Sequence, residues 1–292
     1  MRWRLVVALV GVVAAPAAAQ RPHYEGGVSA ATGRYIFADR TTSITLSTGL
    51  AWTAGPVTIR GSVPVWLQNT TLISATPAGS IPSGGGGRNS EAVRDSSVAR
   101  RRRGAGGMGG TGGMPAGSAS IVAAAAPVVT TAADEFRVAV GDPVLSGVVR
   151  AGAGVVSVSA GFGVKVPVTD TSRFGTGRWD LGGSASISVR ADRRTVVAVD
   201  GSYWHLGDLA ELDFRDPVAA TASVARLVGT SWGVALMGSA ASSPIAGFPG
   251  PATVGGAVSR FSRAGIWSLT VSAGLTETSP DLGLGVSWRV RL

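Results

Sequence analysis

The sequence predicts an all-β protein, a closed antiparallel transmembrane β-barrel of about 12 strands in the bacterial outer membrane. Three observations support this fold class. The chain begins with a segment typical of exported proteins, and later segments alternate between apolar residues and small or polar ones. The gaps between these segments are short and long in turn. Bacterial barrels have an even number of strands of about ten residues, with short turns on one side and longer loops on the other.

The first element is residues 1–19. Two arginines precede an apolar run from Leu5 to about Ala14, and the alanines before Gln20 offer a cleavage point. The run is too short to span a bilayer as a helix, and the arrangement is typical of a secretory signal peptide. The alternative is an uncleaved membrane anchor. The mature domain is therefore predicted to be residues 20–292.

Composition excludes several classes. No run after the signal segment approaches the roughly 20 apolar residues of a membrane helix, and the absence of cysteine removes disulfides and thiolate metal sites. The formal charge is +9, almost all of it arginine. In a cytoplasmic protein, this charge would suggest that the partner is nucleic acid. The predicted signal peptide argues against that partner. We expect no cofactor, and the predicted partners are outer-membrane lipids and small organic solutes. The oligomeric state is left open.

The first strands are predicted from alternation with period two. In TSITLSTGLAW, isoleucine and leucines oppose serines and threonines, and PVTIRGSVPVWLQ and VVSVSAGFGVKVP divide in the same way. Segments of 10 to 13 residues are longer than the usual strands of soluble sheets. The predicted strands of this half are 26–38, 42–54, 56–68, 138–150, 153–166 and 178–191.

The C-terminal strands repeat this pattern. GIWSLTVSAGLT opposes Trp267 and Leu269 to Ser268 and Thr270, and DLGLGVSWRVRL opposes leucines to glycines and arginines. Helical periodicity is absent, and the density of glycine and threonine disfavours helices. The predicted strands of this half are 195–206, 217–228, 231–242, 252–262, 265–276 and 281–292.

The gaps after even-numbered strands are tight. Those after odd-numbered strands are longer, apart from a short one near 39–41. A periplasmic β-sandwich is the alternative fold, but its turns have no reason to sort in this way. The longer gaps are 69–137, 167–177, 207–216, 243–251 and 277–280.

Residues 69–137 are predicted to be a flexible, Gly- and Arg-rich extracellular loop. They contain too little apolar area to order themselves, and we expect 75–120 to be dispensable for folding. The run Arg100 to Arg103 is either a contact for anionic lipopolysaccharide or a solvated charge cluster.

The polar set of each strand is predicted to face the lumen. The net positive charge of these residues favours small anions, and the tryptophans favour aromatic or other organic acids over sugars. The alternative is that the arginines pair with carboxylates and only brace the lumen. The lumen-facing candidates are Arg60, Trp66, Asp142, Arg150, Lys165, Arg190, Asp200, Trp204, Arg289 and Arg291.

Catalysis is not predicted. The chain has two histidines, His23 and His205, and no GxSxG motif. His205 could pair with a serine, but Tyr203, Trp204 and His205 at the outer end of a strand are more typical of an interfacial girdle. Two distant histidines without clustered carboxylates predict no metal site.

One block of sequence resembles a known family. GFGVKVPVTDTSRFGTGRWDLGGSASIS, with GD at 141–142 and SVPVW at 62–66, resembles outer-membrane proteins of the MetA-pathway of phenol degradation family. The resemblance implies a barrel that helps small organic compounds to cross the outer membrane. The alternative is a non-conducting structural or surface-interaction barrel. The glycines also have a purely conformational explanation, since they permit positive φ. The residues that match the family pattern are Lys165, Pro167, Asp170, Gly175, Thr176, Gly177, Trp179 and Asp180.

Overall fold

The structure is a computed structural model that describes residues 21–69, 73–77, 79–82, 136–152, 154–168, 177–207 and 214–292. Within these ranges, the regular secondary structure is β-strand. No helix in the same ranges has the length and apolar character needed to cross a membrane. The signal peptide, the arginine run at 100–103, and the motif residues Asp170, Gly175 and Thr176 lie outside the described residues.

The strands follow one another with the alternating patterns that the sequence shows. They are β1 (Arg21–Gly33), β2 (Thr41–Ala54), β3 (Val57–Gln68), β4 (Ser74–Thr76), β5 (Gly79–Ile81), β6 (Arg137–Val140), β7 (Val144–Ala151), β8 (Val156–Lys165), β9 (Asp180–Arg190), β10 (Thr195–His205), β11 (Val218–Val228), β12 (Trp232–Ala241), β13 (Ala252–Phe261), β14 (Gly265–Gly274) and β15 (Leu282–Arg291).

The sheet closes on itself. β1 pairs antiparallel with both β2 and β15, and the remaining neighbours pair in order around the ring. β6 and β7 both pair with β3, so they form one wall strand that is interrupted at residues 141–143. Counted in this way, the described residues form a closed antiparallel barrel of twelve strands, and the predicted fold is confirmed. β4 and β5 form a separate small hairpin.

The first and fourth wall strands differ from the prediction. β1 spans Arg21–Gly33 instead of 26–38, because its pairing with β15 begins at His23 and ends at Thr32. The chain then turns, with a hydrogen bond from the Phe37 N–H to the Arg34 carbonyl. The fourth strand, predicted as continuous, is broken at Pro143, which has no N–H to donate to a ladder.

The outer face of the barrel is apolar. Leu236, Leu269 and Leu284 are half or more exposed, as expected for side chains that lipid would cover. Tryptophans lie on this face close to the tight turns. The rings of Trp267 and Trp288 are 5.7 Å apart, and the Arg260 guanidinium lies 5.4 Å from the Trp232 ring centre. This belt agrees with the interfacial girdles of membrane barrels.

The two ends of the barrel are different. Both termini of the barrel lie at the end with tight turns, which we call the turn end. The other end, the loop end, carries longer connections, including 34–40, 206–217 and 242–251. Nine apolar residues of these connections pack together as one cluster, which we call the loop cluster. Its members are Tyr35, Ile36, Phe37, Ile73, Ile81, Leu206, Phe214, Ile245 and Phe248.

The loop cluster crosses the opening of the barrel. It joins residues 34–40, between β1 and β2, to residues 206–217, between β10 and β11. Six wall strands separate these two connections in either direction around the ring. Because the connections start on opposite sides, they can meet only over the mouth of the lumen.

The hairpin contributes to this cluster and changes one expectation. Residues 69–82 were expected to belong to a flexible loop, yet Ile73 and Ile81 are almost fully buried. Gln68 also donates a hydrogen bond to the Ile73 carbonyl. The hairpin is ordered because its two isoleucines bury apolar area against other loops. At the other end of the predicted loop, Arg137 is the first residue of β6, and residues 83–135 lie outside the described residues.

Candidate functional site in the barrel lumen

The inner wall is built from small hydroxyl-bearing residues and glycine. Serines and threonines on adjacent strands hydrogen-bond across the wall: Ser159 with Ser186 at 2.6 Å and Ser259 with Ser268 at 2.8 Å. These short side chains satisfy one another and leave the interior unfilled. The lumen therefore has room for water and solutes between the two ends.

Three charged side chains meet on one side of this lumen. The Arg289 Nε donates a hydrogen bond of 2.6 Å to Oε1 of Glu25, its partner in the β1–β15 register. The Arg60 Nε lies 3.5 Å from the other carboxylate oxygen. Arg60 reaches Glu25 past β2, where Gly49 and Ala51 are small enough to leave room. We call these three residues the charged trio.

The charged trio divides the space next to it. One cavity of about 440 Å³ has several serines in its lining, among them Ser47, Ser62 and Ser268. A second cavity of about 370 Å³ lies towards the turn end and is lined by His23 and Arg150. Glu25, Arg60 and Arg289 line both cavities. A solute that moves between the two cavities therefore passes a carboxylate held between two guanidinium groups.

The predicted lumen residues do not form a single site. By register, nine of the ten lie on the inner face, and Asp142 reaches the same face at the strand interruption through its ion pair with Lys165. Arg60, Lys165 and Arg289 have acidic partners. Arg150, Arg190 and Arg291 make no ion pair with any other described residue. Pairing and free positive charge therefore coexist in this lumen.

A buried triad explains much of the motif that carries the family resemblance. The Lys165 Nζ lies 2.8 Å from Asp180 Oδ2 and 3.5 Å from Asp142 Oδ2, and all three side chains are nearly inaccessible. The second oxygen of each carboxylate accepts a backbone hydrogen bond. Asp142 accepts it from the Val168 N–H, and Asp180 from the Gly207 N–H. The triad thus ties two loop-end connections to the wall. Of the remaining motif residues, Pro167 follows β8, and Gly177 has a φ of 64°.

Trp204 forms the floor beneath the loop cluster. Its ring lies over Gly163 and Gly182, where an added Cβ would collide with it, and it packs against the cluster. Trp66 also faces inward, with its indole nitrogen buried. Burial in the loop cluster raises the pKa of Tyr35 to about 12, which is consistent with a region from which water is excluded.

His205 has a carboxylate partner at the loop-end rim. Its Nδ1 lies 3.0 Å from Oδ2 of Asp216. The same carboxylate also accepts hydrogen bonds from the Tyr203 hydroxyl and the Leu206 N–H. The Tyr203 hydrogen bond, followed by that of His205, holds the pKa of Asp216 below its usual range. These contacts fasten the β10–β11 connection to the wall. No group of three or more potential metal ligands occurs among the described residues.

Glu25, the centre of the charged trio, is not among the residues predicted to line the lumen. The predicted first strand begins at residue 26, so the carboxylate before it falls outside the predicted barrel. The alternation does extend backwards, since Glu25, Gly27 and Ser29 form one set opposite Gly26 and Val28. The contact with Arg289 joins residues 264 positions apart, so only closure of the barrel reveals it.

Neither a protein-family model nor a curated protein matches this sequence. Among solved structures, the chain is similar to the COG4313 outer membrane channel from Pseudomonas putida F1, with a TM-score of 0.59 and 10% identity over 95% of this chain and 99% of that chain. It is also similar to the CymD monoaromatic hydrocarbon channel (TM-score 0.44, 9% identity, 94% and 88% covered). The P. putida toluene transporter TodX gives a TM-score of 0.42, 11% identity, and 95% and 91% coverage. The first likeness shows the fold, which is that of bacterial outer-membrane barrels.

Proposed function

We propose that the protein is an outer-membrane channel for small organic compounds, among them organic acids, exported through a cleaved signal peptide. The observation that carries the proposal is the closed barrel whose inner wall of serine, threonine and glycine encloses open cavities. An apolar outer face and a tryptophan belt suit a position in the membrane with the turn end in the periplasm. The fold of the P. putida channel and the sequence resemblance to the phenol-degradation family support the same function.

The loop cluster suggests how organic compounds would be selected. The side chains of this cluster are buried against one another, so a solute that enters from the loop end has to part them before it reaches the polar wall. Compounds with an apolar part can cover the apolar area that is exposed when the cluster opens, whereas sugars cannot. The arginines beyond it favour compounds that also carry negative charge. This order of surfaces favours weak organic acids as the solutes.

A second candidate function is a non-conducting barrel with a structural or surface role. The observation that favours it is the loop cluster itself, which crosses the mouth of the lumen. The two functions differ in conductance. Reconstitution in a planar bilayer under a salt gradient separates them, because a channel gives discrete current steps and a plugged barrel gives none. We expect steps with an anion-selective reversal potential that weakens in the double variant Arg289→Ala with Arg291→Ala. Cation selectivity would contradict the proposal.

The charged trio gives a sharper prediction. Glu25→Gln removes the one carboxylate of the trio and leaves Arg60 and Arg289 uncompensated. One unit charge at about 4 Å in a water-filled pore changes an ion's free energy by about 1 kcal/mol, which is roughly fivefold in a permeability ratio. We therefore expect anion selectivity to rise by about that factor, measured as the reversal potential. Glu277→Gln, on an exposed loop-end connection, is the control and should leave it unchanged.

A further inference from the structure

One part of the inner wall breaks the serine, threonine and glycine pattern. Near the turn end of β10, β11 and β13, the inward-facing positions hold Val196, Leu227 and Phe261. Phe261 lies two residues beyond Ser259, which hydrogen-bonds across the inner wall. These three side chains are 37–42% exposed. They therefore present part of their apolar area to the lumen.

The wall is shaped to hold the Phe261 ring in this position. Gly233 on β12 lies beside it, and an added Cβ there would come within 3.0 Å of the ring edge. The glycine therefore leaves room for the ring beside β12. Together these residues form one side of a cavity of about 370 Å³. This volume is at the lower end of the range for small-molecule sites, which suits a compound with a single ring.

The same cavity has a strongly cationic rim. Arg190, Arg193, Arg194 and Arg226 line it. The acidic residue beside them is Asp192, which accepts the N–H groups of Arg194 and Thr195 and pairs with the guanidinium of Arg226 at 3.7 Å. The side chains of Arg190, Arg193 and Arg194 form no ion pair with another described residue. Three guanidinium groups thus remain available beside an apolar surface.

We propose that this cavity binds a small amphipathic carboxylate. Its apolar body would lie on Phe261, Leu227 and Val196, and its carboxylate would accept hydrogen bonds from Arg190 and Arg194. Guanidinium groups bind carboxylates through paired, charge-assisted hydrogen bonds, and exposed apolar area rewards a ligand that covers it. An inorganic anion would contact only the arginine rim, and a neutral hydrocarbon would contact only the apolar side chains. The chemistry of the cavity therefore specifies a ligand with both parts.

This cavity is separate from the charged trio. It belongs to β9–β13, whereas the trio lies on β1, β3 and β15. Its role as the last binding site before release into the periplasm rests on the proposed function. Binding itself does not depend on conduction, so equilibrium binding can test the inference independently.

The test is calorimetric titration of the full barrel in lipid nanodiscs with 3-phenylpropanoate and with 3-phenylpropan-1-ol, which share the same apolar body. We expect the acid to bind at least about tenfold more tightly, because the alcohol has no negative charge and lacks the second acceptor oxygen that paired hydrogen bonds from a guanidinium need. The double variant Arg190→Gln with Arg194→Gln should weaken binding of the acid by about tenfold or more. Phe261→Ser should weaken binding of the acid as well. Arg263→Gln removes an exposed arginine from the next turn, outside the cavity, and should change nothing.

Equal affinity for the acid and the alcohol would overturn the inference, as would no binding of the acid. An equal loss in Arg263→Gln would also overturn it, because it would show a general effect of net charge. Each variant is first checked for a heat-modifiable band on gels, which reports the folded barrel. Site-dependent binding without conductance would refute the channel and support this site. Conductance without such binding would refute the site alone.

Discussion

Lys165→Met is expected to lower the stability of the folded barrel by about 3–5 kcal/mol, the largest effect of any substitution considered for the wall. Lys165 and Asp180 are 2% and 0% exposed, and Asp142 is 6% exposed. Removing the ammonium group takes away the positive charge that lies beside both buried carboxylates, and breaking a buried ion pair by removing one partner is strongly destabilising. The measurement is the midpoint of urea unfolding in detergent micelles. The heat-modifiable band on gels reports the folded barrel at each urea concentration.

Two variants separate this effect from a general loss of charge. Arg226→Met removes one partner of the Asp192–Arg226 pair, whose side chains are more than half exposed, and should cost less than about 1 kcal/mol. Replacing the whole triad, as Lys165→Met with Asp142→Asn and Asp180→Asn, removes all three charges but keeps the oxygens that accept the two N–H groups. We expect this triple variant to recover most of the loss. If Lys165→Met is no less stable than Arg226→Met, the triad does not hold the loop end.

Phe37→Ser is expected to open the loop end and raise the conductance of the channel severalfold. Phe37 is 1% exposed and packs in the loop cluster, together with Ile245, which is 2% exposed. Truncating a buried phenylalanine removes about 3–5 kcal/mol of packing. The cluster joins connections from opposite sides of the barrel, so this loss shifts its equilibrium between a closed and an open arrangement. The wall strands are held together by their own backbone ladders, so we expect them to stay folded.

Single-channel recording measures the conductance, and uptake of a hydrophilic dye by cells that produce the variant gives a second readout. Phe136→Ser is the matched control, because Phe136 is 57% exposed and lies outside the loop cluster. The control should resemble the natural protein in both assays. If Phe37→Ser keeps the natural conductance, the loop cluster does not obstruct the lumen, and another constriction must limit the current.

The sequence determined the wall of this protein. Alternation with period two is a local property, so it predicted the number of wall strands and most of their bounds, including the twelfth, predicted as 281–292 and found at Leu282–Arg291. The same alternation predicted which residues share a face. The lengths of the gaps between strands also predicted that the short turns lie at one end. Gap lengths can be read from the sequence without knowing which strands pair.

Tertiary structure decided which side chains meet. Glu25 and Arg289 are at opposite ends of the chain and touch only because β1 closes on β15. Lys165, Asp142 and Asp180 were matched to a motif in sequence, yet they meet only where the strand interruption at 141–143 and two loop-end connections come together. The loop cluster could not be predicted from its short apolar pieces, because packing across a barrel mouth has no periodicity in sequence. Local patterns fix the faces of strands, whereas contacts between distant residues arise only when the ring has closed.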